Sequence, residues 1–423
     1  MPTRVLRRRI ATAVGVYGSA ILGFAATVAA ARELSKPDFA RFALVFATTT
    51  LLQLFVDLTI DEVVIKYGNR YAANEQWGRL RRLVRVGLFV KLAGGAAGTA
   101  TIVAAAFLSP WIWQTGGIRG ALLIASFVPL VQQPEGMAGA VLILRNRYDL
   151  RGLFLLWAMA LRLAAIAIGA HYGLVAVFVG IVAAQLVSTA SICAVAVAAF
   201  RRYPAASAEP LGEDRRAIRA FAIQSTISSG LTSLRTSLPT VLLGVVAKAP
   251  QVAGFRAAQA PQTAFQTLSA PARMMLLAEQ THDVEHGRPE RAFTLLHRYI
   301  GSTAAVACAL TPPLWIFMPT LVRLVYGAKY VPAADAFRVM LLAAALQLVF
   351  GWTRTFPVSI GRVGLRTAGQ LLEVGTLVPA VLVLGAVYGA TGAAGGVLAG
   401  SAVLAAFWTV GLLRLPRAET APT

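Results

Sequence analysis

Charged and polar positions divide the chain into long apolar runs, at 11–31, 42–60, 84–108, 120–143, 152–170, 173–199, 219–246, 251–279, 298–318, 333–354, 366–388 and 391–413. A helix needs ~20 predominantly apolar residues to cross a bilayer. The pattern therefore predicts an all-α polytopic membrane protein with about 12 transmembrane helices. Composition agrees: of 423 residues, 57% are hydrophobic and 13% charged, roughly half the charged fraction of a soluble domain. The residues left over, spread across termini and connections, give no stretch for a nucleotide-binding domain, which excludes an ATP-driven pump on one chain. Cys193 and Cys308 fall inside apolar runs with no metal or redox spacing and read as inert core thiols.

Charge adds the orientation. The chain holds 39 Lys+Arg against 18 Asp+Glu, a net +21. The basic residues punctuate apolar runs and form no patch with interleaved aromatics, so the membrane surface, and not nucleic acid, is the partner they fit. With the N-terminus (Arg4, Arg7, Arg8, Arg9) in the cytoplasm, the inner segments carry about 26 basic residues and the outer loops about seven, an asymmetry that places both termini inside. Residues 61–83, with Lys66, Arg70, Trp77, Arg79, Arg81 and Arg82, read as an interfacial helix against anionic lipid. Trp111 and Trp113 beside Pro110 read as an aromatic belt at the outer face. His282 and His286 stand four apart but lack the HExxH order, so no metal or other cofactor is expected.

An internal repeat organises the chain. Pro37, Ala40 and Phe42 recur as Pro250, Ala253 and Phe255; Arg147, Leu150 and Arg151 recur as Arg362, Leu365 and Arg366; Tyr172, Gly173 and Gly180 recur as Tyr388, Gly389 and Gly396. The matches lie in order, at nearly one offset, in equivalent loops. They predict an N-terminal six-helix half at 1–199, a cytoplasmic linker at 200–218 rich in Arg, Pro, Asp and Glu, and a C-terminal six-helix half at 219–423. Because six is even, the halves enter the membrane alike and are expected to be related by a pseudo-twofold along the membrane normal. The repeat also gives the first span a counterpart in the seventh, which argues against a cleaved signal peptide before Ala29-Ala30-Ala31.

The segment Arg32-Glu33-Leu34-Ser35-Lys36-Pro37-Asp38-Phe39-Ala40-Arg41-Phe42-Ala43 resembles the "AR-x-L-s-x-x-x-f-G-x-y-a" signature of bacterial polysaccharide and O-antigen flippases. These belong to the multidrug/oligosaccharidyl-lipid/polysaccharide exporter superfamily. Val252-Ala253-Gly254-Phe255-Arg256-Ala257-Ala258 resembles their second-half "vGxYxxA", residues 324–334 their "l-l-y-G-x-x-Y-x-x-A" segment, and residues 389–395 their "G-x-x-G-a-a" turn. The resemblance covers essentially the whole chain and implies a transporter, not an enzyme, of the bacterial inner membrane. Its implied substrate is a polyprenyl-diphosphate-linked glycan, and its implied partners are membrane lipids and the polysaccharide polymerase or glycosyltransferases of the same pathway. The chain departs from the pattern in the seventh span. There relatives often carry an acid, whereas this sequence reads Leu234-Arg235-Thr236-Ser237-Leu238-Pro239.

Charges inside spans are the best pointers to a site, since each costs ~2.5–3.5 kcal/mol at mid-bilayer on insertion scales. Arg235 and Arg162 are central in the seventh and fifth spans, and Lys91 lies within the third. Arg256 and Arg273 lie towards the two ends of the eighth, and Arg338 near the outer end of the tenth. A guanidinium donates in a planar fork that suits a diphosphate, so Arg235 and Arg162, with Lys91, Arg256 and Arg273, are candidates for substrate binding. The bland alternatives are internal ion pairs for the deep pair and snorkelling to headgroups for Arg256, Arg273 and Arg338. Among acids, Glu135 in Gln132-Gln133-Pro134-Glu135-Gly136, where the proline is expected to break the helix, and Glu373 are candidates for sugar or coupling-ion contact, or for pairing with an arginine. Asp57, near a span end, is expected to be interfacial. Two rival functions are weaker. A drug or cation exporter needs cavity acids, while the deep charges here are mostly basic; a glycosyltransferase or polymerase acting at the outer face needs a long acidic or His-bearing outer loop.

Overall fold

The computed structural model describes residues 2–56, 59–114, 116–286, 288–360 and 362–414. Among them every regular element is helical: α1 (Pro2–Glu33), α2 (Lys36–Val56), α3 (Ile60–Ala73), α4 (Trp77–Ile112), α5 (Arg119–Ala125), α6 (Phe127–Leu144), α7 (Tyr148–Gly169), α8 (Leu174–Phe200), α9 (Asp214–Val246), α10 (Ala249–Ala258), α11 (Ala260–Glu285), α12 (Pro289–Ile316), α13 (Met318–Tyr326), α14 (Ala334–Val349), α15 (Phe356–Ser359) and α16 (Val363–Arg414). The all-α expectation holds. Asp57 lies outside the described residues.

Eight helical segments of the described residues are long and apolar enough to cross a membrane. The remaining expected spans coincide with α2, α9 and α10–α11, which are helical, Leu234–Val246 of α9 being a shorter apolar stretch among the described residues, and the last two expected spans form one helix. That helix, α16, bends at Gly389 (φ 58°, ψ −129°). The bend is held by Gln251, whose side-chain oxygen accepts the backbone N–H of Ala390 at 2.9 Å. Residues 61–83 are not one interfacial helix: α3 ends at Ala73, Glu75 turns the chain with φ 56°, and Trp77 begins α4. Of the two belt tryptophans, Trp111 is 82% exposed but Trp113 turns inward, at 6%. Cys308 is exposed on α12 instead of lying in the core.

The chain divides into two compact units, Met1–Leu238 and Pro239–Thr423, which meet within α9. In the first, Val63, Val64 and Tyr71 of α3 pack with Leu80 and Leu83 of α4 and Met137 and Leu144 of α6. In the second, Trp352 and Trp408 cross edge to face at 5.4 Å and gather Leu296, Phe356 and Leu404 around them. The basic linker is docked on the first unit. The Glu209 N–H donates to the Gly78 carbonyl (3.2 Å), Arg81 donates to the Pro204 carbonyl (3.1 Å), and the Tyr203 hydroxyl donates to the Leu144 carbonyl (3.2 Å).

The repeat positions occupy matching local structures in the two units. Pro37 and Pro250 are each the second residue of a helix, where a missing N–H costs nothing. Arg147 and Arg362 each precede a helix and donate a backbone N–H five residues back, to Leu142 and Pro357, both at 2.8 Å. Gly173 and Gly389 both take positive φ. A Cβ on Gly180 would lie 3.3 Å from Ala165, and one on Gly396 would lie 2.7 Å from Val381. Both members of that pair are displaced by the same 216 residues as the glycines, so the same helix crossing is built twice.

Helices α1 and α7 approach so closely that a Cβ on Gly15 would fall 2.3 Å from the Gly152 carbonyl carbon. Small residues permit such crossings where lipid gives no hydrophobic drive. Gly152→Leu is expected to lower the thermal midpoint of the detergent-solubilised protein, with a cost of about 1–3 kcal/mol or more from overpacking. A second prediction concerns Tyr71, whose hydroxyl donates to Asp214 at 2.9 Å. Burial, then that hydrogen bond and the Asp214 charge, push its phenol up to about 12. The folded value lies above the unfolded one of about 10, so its contribution is complete below pH 10 and is lost as the pH climbs through 12. Melting curves across that window should show the loss in the native protein and not in Tyr71→Phe.

Candidate functional site

In the first unit the candidate charges surround α6. Pro134 does not break this helix, which is continuous from Phe127 to Leu144. The interruption comes eight residues sooner, at Ser126 between α5 and α6, where the Ser126 carbonyl accepts a hydrogen bond from the Thr99 hydroxyl at 2.7 Å. Glu135 accepts a hydrogen bond from the Gln185 amide of α8 at 2.5 Å, and Gln185 also donates to Thr189 at 3.2 Å. Two arginines of α7, Arg162 and Arg151, supply the positive field at that carboxylate. The Arg162 guanidinium also sits 5.3 Å over the Phe46 ring, a cation–π contact that offsets part of its desolvation. Arg151 packs over Gly139, where a Cβ would collide with its guanidinium.

Lys91, 5% exposed, forms an ion pair with Asp61 at 3.0 Å. Gly136 faces the pair: a Cβ there would lie 3.9 Å from both the Asp61 carboxyl carbon and the Lys91 Nζ. Arg235, 7% exposed, is buried on α9. Its helix is fixed to the first unit through Ser225, which donates to Glu62, and Thr226, which accepts the Thr59 N–H at 3.0 Å.

In the second unit the arginines bond to near neighbours. Arg256 donates to Gln259 at 2.7 Å, Arg273 donates to the Ser269 hydroxyl and to the Gln266 carbonyl (3.2 Å), and Arg338 donates to Asp335 (3.0 Å) and the Trp315 carbonyl (3.2 Å). Glu373, 2% exposed, packs against the returning limb of α16, its Cγ 3.6 Å from where a Cβ of Gly400 would stand. Arg256 and Arg273 are separated by the break at Gln259 and by about 25 Å of helix rise. The predicted residues therefore form local groups, Lys91 and Glu135 with Arg162 around α6 and Arg273 within a second polar group on α11.

A model of the family described as polysaccharide biosynthesis protein matches residues 5–277. The chain belongs to that family. No curated protein matches it. Among solved structures it is similar to an inward-facing multidrug resistance MATE family transporter of the MOP superfamily, with TM-score 0.76, 15% identity, and 94% of each chain covered. The lipid II flippase MurJ in an inward closed conformation gives TM-score 0.71 and 12% identity over 96% of this chain and 88% of that one. A MOP superfamily transporter from Pyrococcus furiosus gives TM-score 0.67 and 15% identity over 99% and 96%. At such identities the likeness shows the fold: this polysaccharide biosynthesis protein has the architecture of membrane transporters.

Sequence reasoning missed the residues that partner the deep charges in this family member. Asp61 falls in a segment read as cytoplasmic, and Gln185, which bonds Glu135, carries no charge to mark it; nor do Gln262, Gln266 and Gln347, whose side chains bond one another. Only the spacing of Gln262, Gln266, Ser269 and Arg273 along one stretch signals a polar face. The Lys91–Asp61 pair gives a direct test. Removing one partner of a buried pair costs about 3–5 kcal/mol because the other charge is stranded. Lys91→Met and Asp61→Asn should each destabilise strongly, while the double variant should recover most of the loss. A double variant as unstable as the sum of the singles would show that the two do not interact.

Proposed function

We propose that the protein is a flippase that carries a polyprenyl-diphosphate-linked oligosaccharide from the cytoplasmic to the outer leaflet of a bacterial inner membrane, for cell-surface polysaccharide biosynthesis. Twelve helices cross the membrane as two six-helix halves in parallel orientation, with both termini cytoplasmic, and the halves open alternately to each side. Arg235 and Arg162 neutralise the diphosphate, supported by Lys91, Arg256 and Arg273. Glu135 and Glu373 contact the coupling ion or the sugar, and the lipid tail stays in the bilayer. Glycosyltransferases and the polymerase of the pathway supply and consume the substrate.

The observation that carries this reading is the burial of arginines in helices of a polysaccharide biosynthesis protein with a transporter fold, above all Arg235 at 7% exposure. A fixed cation in a desolvated setting favours an anionic ligand, and a guanidinium binds a diphosphate through charge-assisted forks. Lysine and arginine at these depths would repel the cations that a drug exporter moves, even though a multidrug transporter is among the similar folds. Differential affinity for the substrate between the two open states drives the cycle.

Deletion of the gene is expected to leave the full-length glycan repeat on its polyprenyl carrier at the cytoplasmic face; truncated glycans would instead indicate a transferase. Arg162→Gln and Arg235→Gln, each in protein that still inserts, should cut glycan export roughly ten- to a hundredfold, the loss of a hydrogen bond to a charged group worth about 1.5–3 kcal/mol. Undiminished export by both variants would falsify the diphosphate assignment.

A further inference from the structure

Helix α11 is 26 residues long and carries Gln262, Thr263, Gln266, Thr267, Ser269 and Arg273 within four turns. Its polar residues lie on adjoining faces. Thr263 is exposed, Gln266, Thr267 and Arg273 are half-exposed, and Gln262 and Ser269 are buried behind them. The neighbouring helices of the same unit expose the opposite chemistry, Val306 and Leu310 on α12 and Leu371 and Val383 on α16, as a lipid-facing surface must. A row of hydroxyls and amides turned to hydrocarbon would lose its water without replacement. The exposed face of α11 therefore meets water or a polar ligand.

The buried residues behind that face form a fixed amide network. Gln262 and Gln266 both donate to the side-chain oxygen of Gln347 on α14, at 3.0 and 3.2 Å. The Gln347 amide then donates to the Ser401 hydroxyl on the returning limb of α16 at 2.8 Å. One half-exposed member is left with unused capacity: among the described residues the Gln266 amide oxygen accepts no hydrogen bond, because its amide nitrogen is turned inward to Gln347. Arg273 lies a little under two turns further along, fixed by Ser269 and the Gln266 carbonyl. The arrangement offers a neutral acceptor, flanking hydroxyls and one planar cation, all held in place from behind. Sugar hydroxyls, which donate and accept at once, match such a mixture better than a diphosphate or an apolar tail does.

We propose that this face of α11, with Gln347 and Ser401 bracing it, reads the hydroxyl groups of the transported glycan. The assignment rests on the flippase reading and adds to it a division of labour, in which glycan selectivity resides in neutral side chains of the second unit. Gln266 is the contact residue and Gln347 a positioning residue acting through it.

The test uses full-length protein in lipid vesicles, with two probes: polyprenyl-diphosphate bearing the complete glycan, extracted from the deletion strain, and the same carrier bearing a single sugar. For Gln266→Leu, transport of the complete glycan is expected to fall about tenfold while transport of the single-sugar carrier changes by less than about twofold, since roughly 1.4 kcal/mol is a factor of ten. Gln347→Leu should show the same selective loss, and Gln266→Asn should retain part of the selectivity. Equal slowing of both probes by Gln266→Leu, or slowing of neither, overturns the glycan-reading face and leaves the flippase intact. Wild-type protein that moves neither probe overturns both. Should Gln347→Leu fail to fold, the half-exposed Gln266 still decides the matter.

Discussion

A polar group placed in hydrocarbon without a partner costs several kcal/mol, and the organisation of this protein follows from how that cost is avoided. Charges inside helices are paired or bonded locally: Lys91 to Asp61, Glu135 to Gln185 within the field of two arginines, Arg273 to Ser269 and the Gln266 carbonyl, Arg338 to Asp335 and the Trp315 carbonyl. Such contacts give each unit its internal specificity, because breaking one strands a charge.

The same constraint shapes the backbone. Lipid supplies no hydrophobic drive between helices, so close crossings depend on the absence of side chains. Gly15 against Gly152 in the first unit, and the matched pairs Gly180 with Ala165 and Gly396 with Val381, serve that purpose. Where the chain must turn within an apolar setting, a glycine at positive φ and a side-chain cap take the strain, as Gly389 and Gln251 do in the bend of α16. Repetition of these details at one offset explains why weak sequence matches in Ala- and Gly-rich segments were informative. The matched glycines and prolines are held by steric requirements of the backbone, independent of the ligand.

Much of the fold was legible because hydropathy is a one-dimensional signal: the described residues of the apolar runs lie mostly in helices, eight segments of them long and apolar enough to cross a membrane. The departures have physical causes. Pro134 leaves α6 intact and the interruption falls at Ser126, since a proline removes only one donor, whereas the Ser126 carbonyl gains a hydrogen bond from Thr99. The linker at 200–218 reads as a free polar segment yet docks through backbone carbonyls of Gly78 and Leu144, which no sequence pattern encodes. Trp113, at the C-terminal cap of α4, turned inward because the facing of a residue at a helix end depends on its neighbours, and Cys308 lies on the exposed side of α12, which a uniformly apolar run does not reveal.

The sequence by itself determined that the chain is an all-helical membrane protein with an internal recurrence of short motifs, a strongly basic balance and a few charges within apolar runs. Those properties follow from the transfer cost of each residue taken singly, and that cost is local. Only the tertiary structure decided which charges have partners. It joined Lys91 to Asp61 across helices, and it bonded Arg256 of α10 to Gln259 and Arg273 of α11 to Ser269 and the Gln266 carbonyl. It also assembled Gln262, Gln266, Gln347 and Ser401, three of them on different helices, into one network. Pairing is a property of distance between side chains far apart in the chain, and a glutamine carries no charge to announce it.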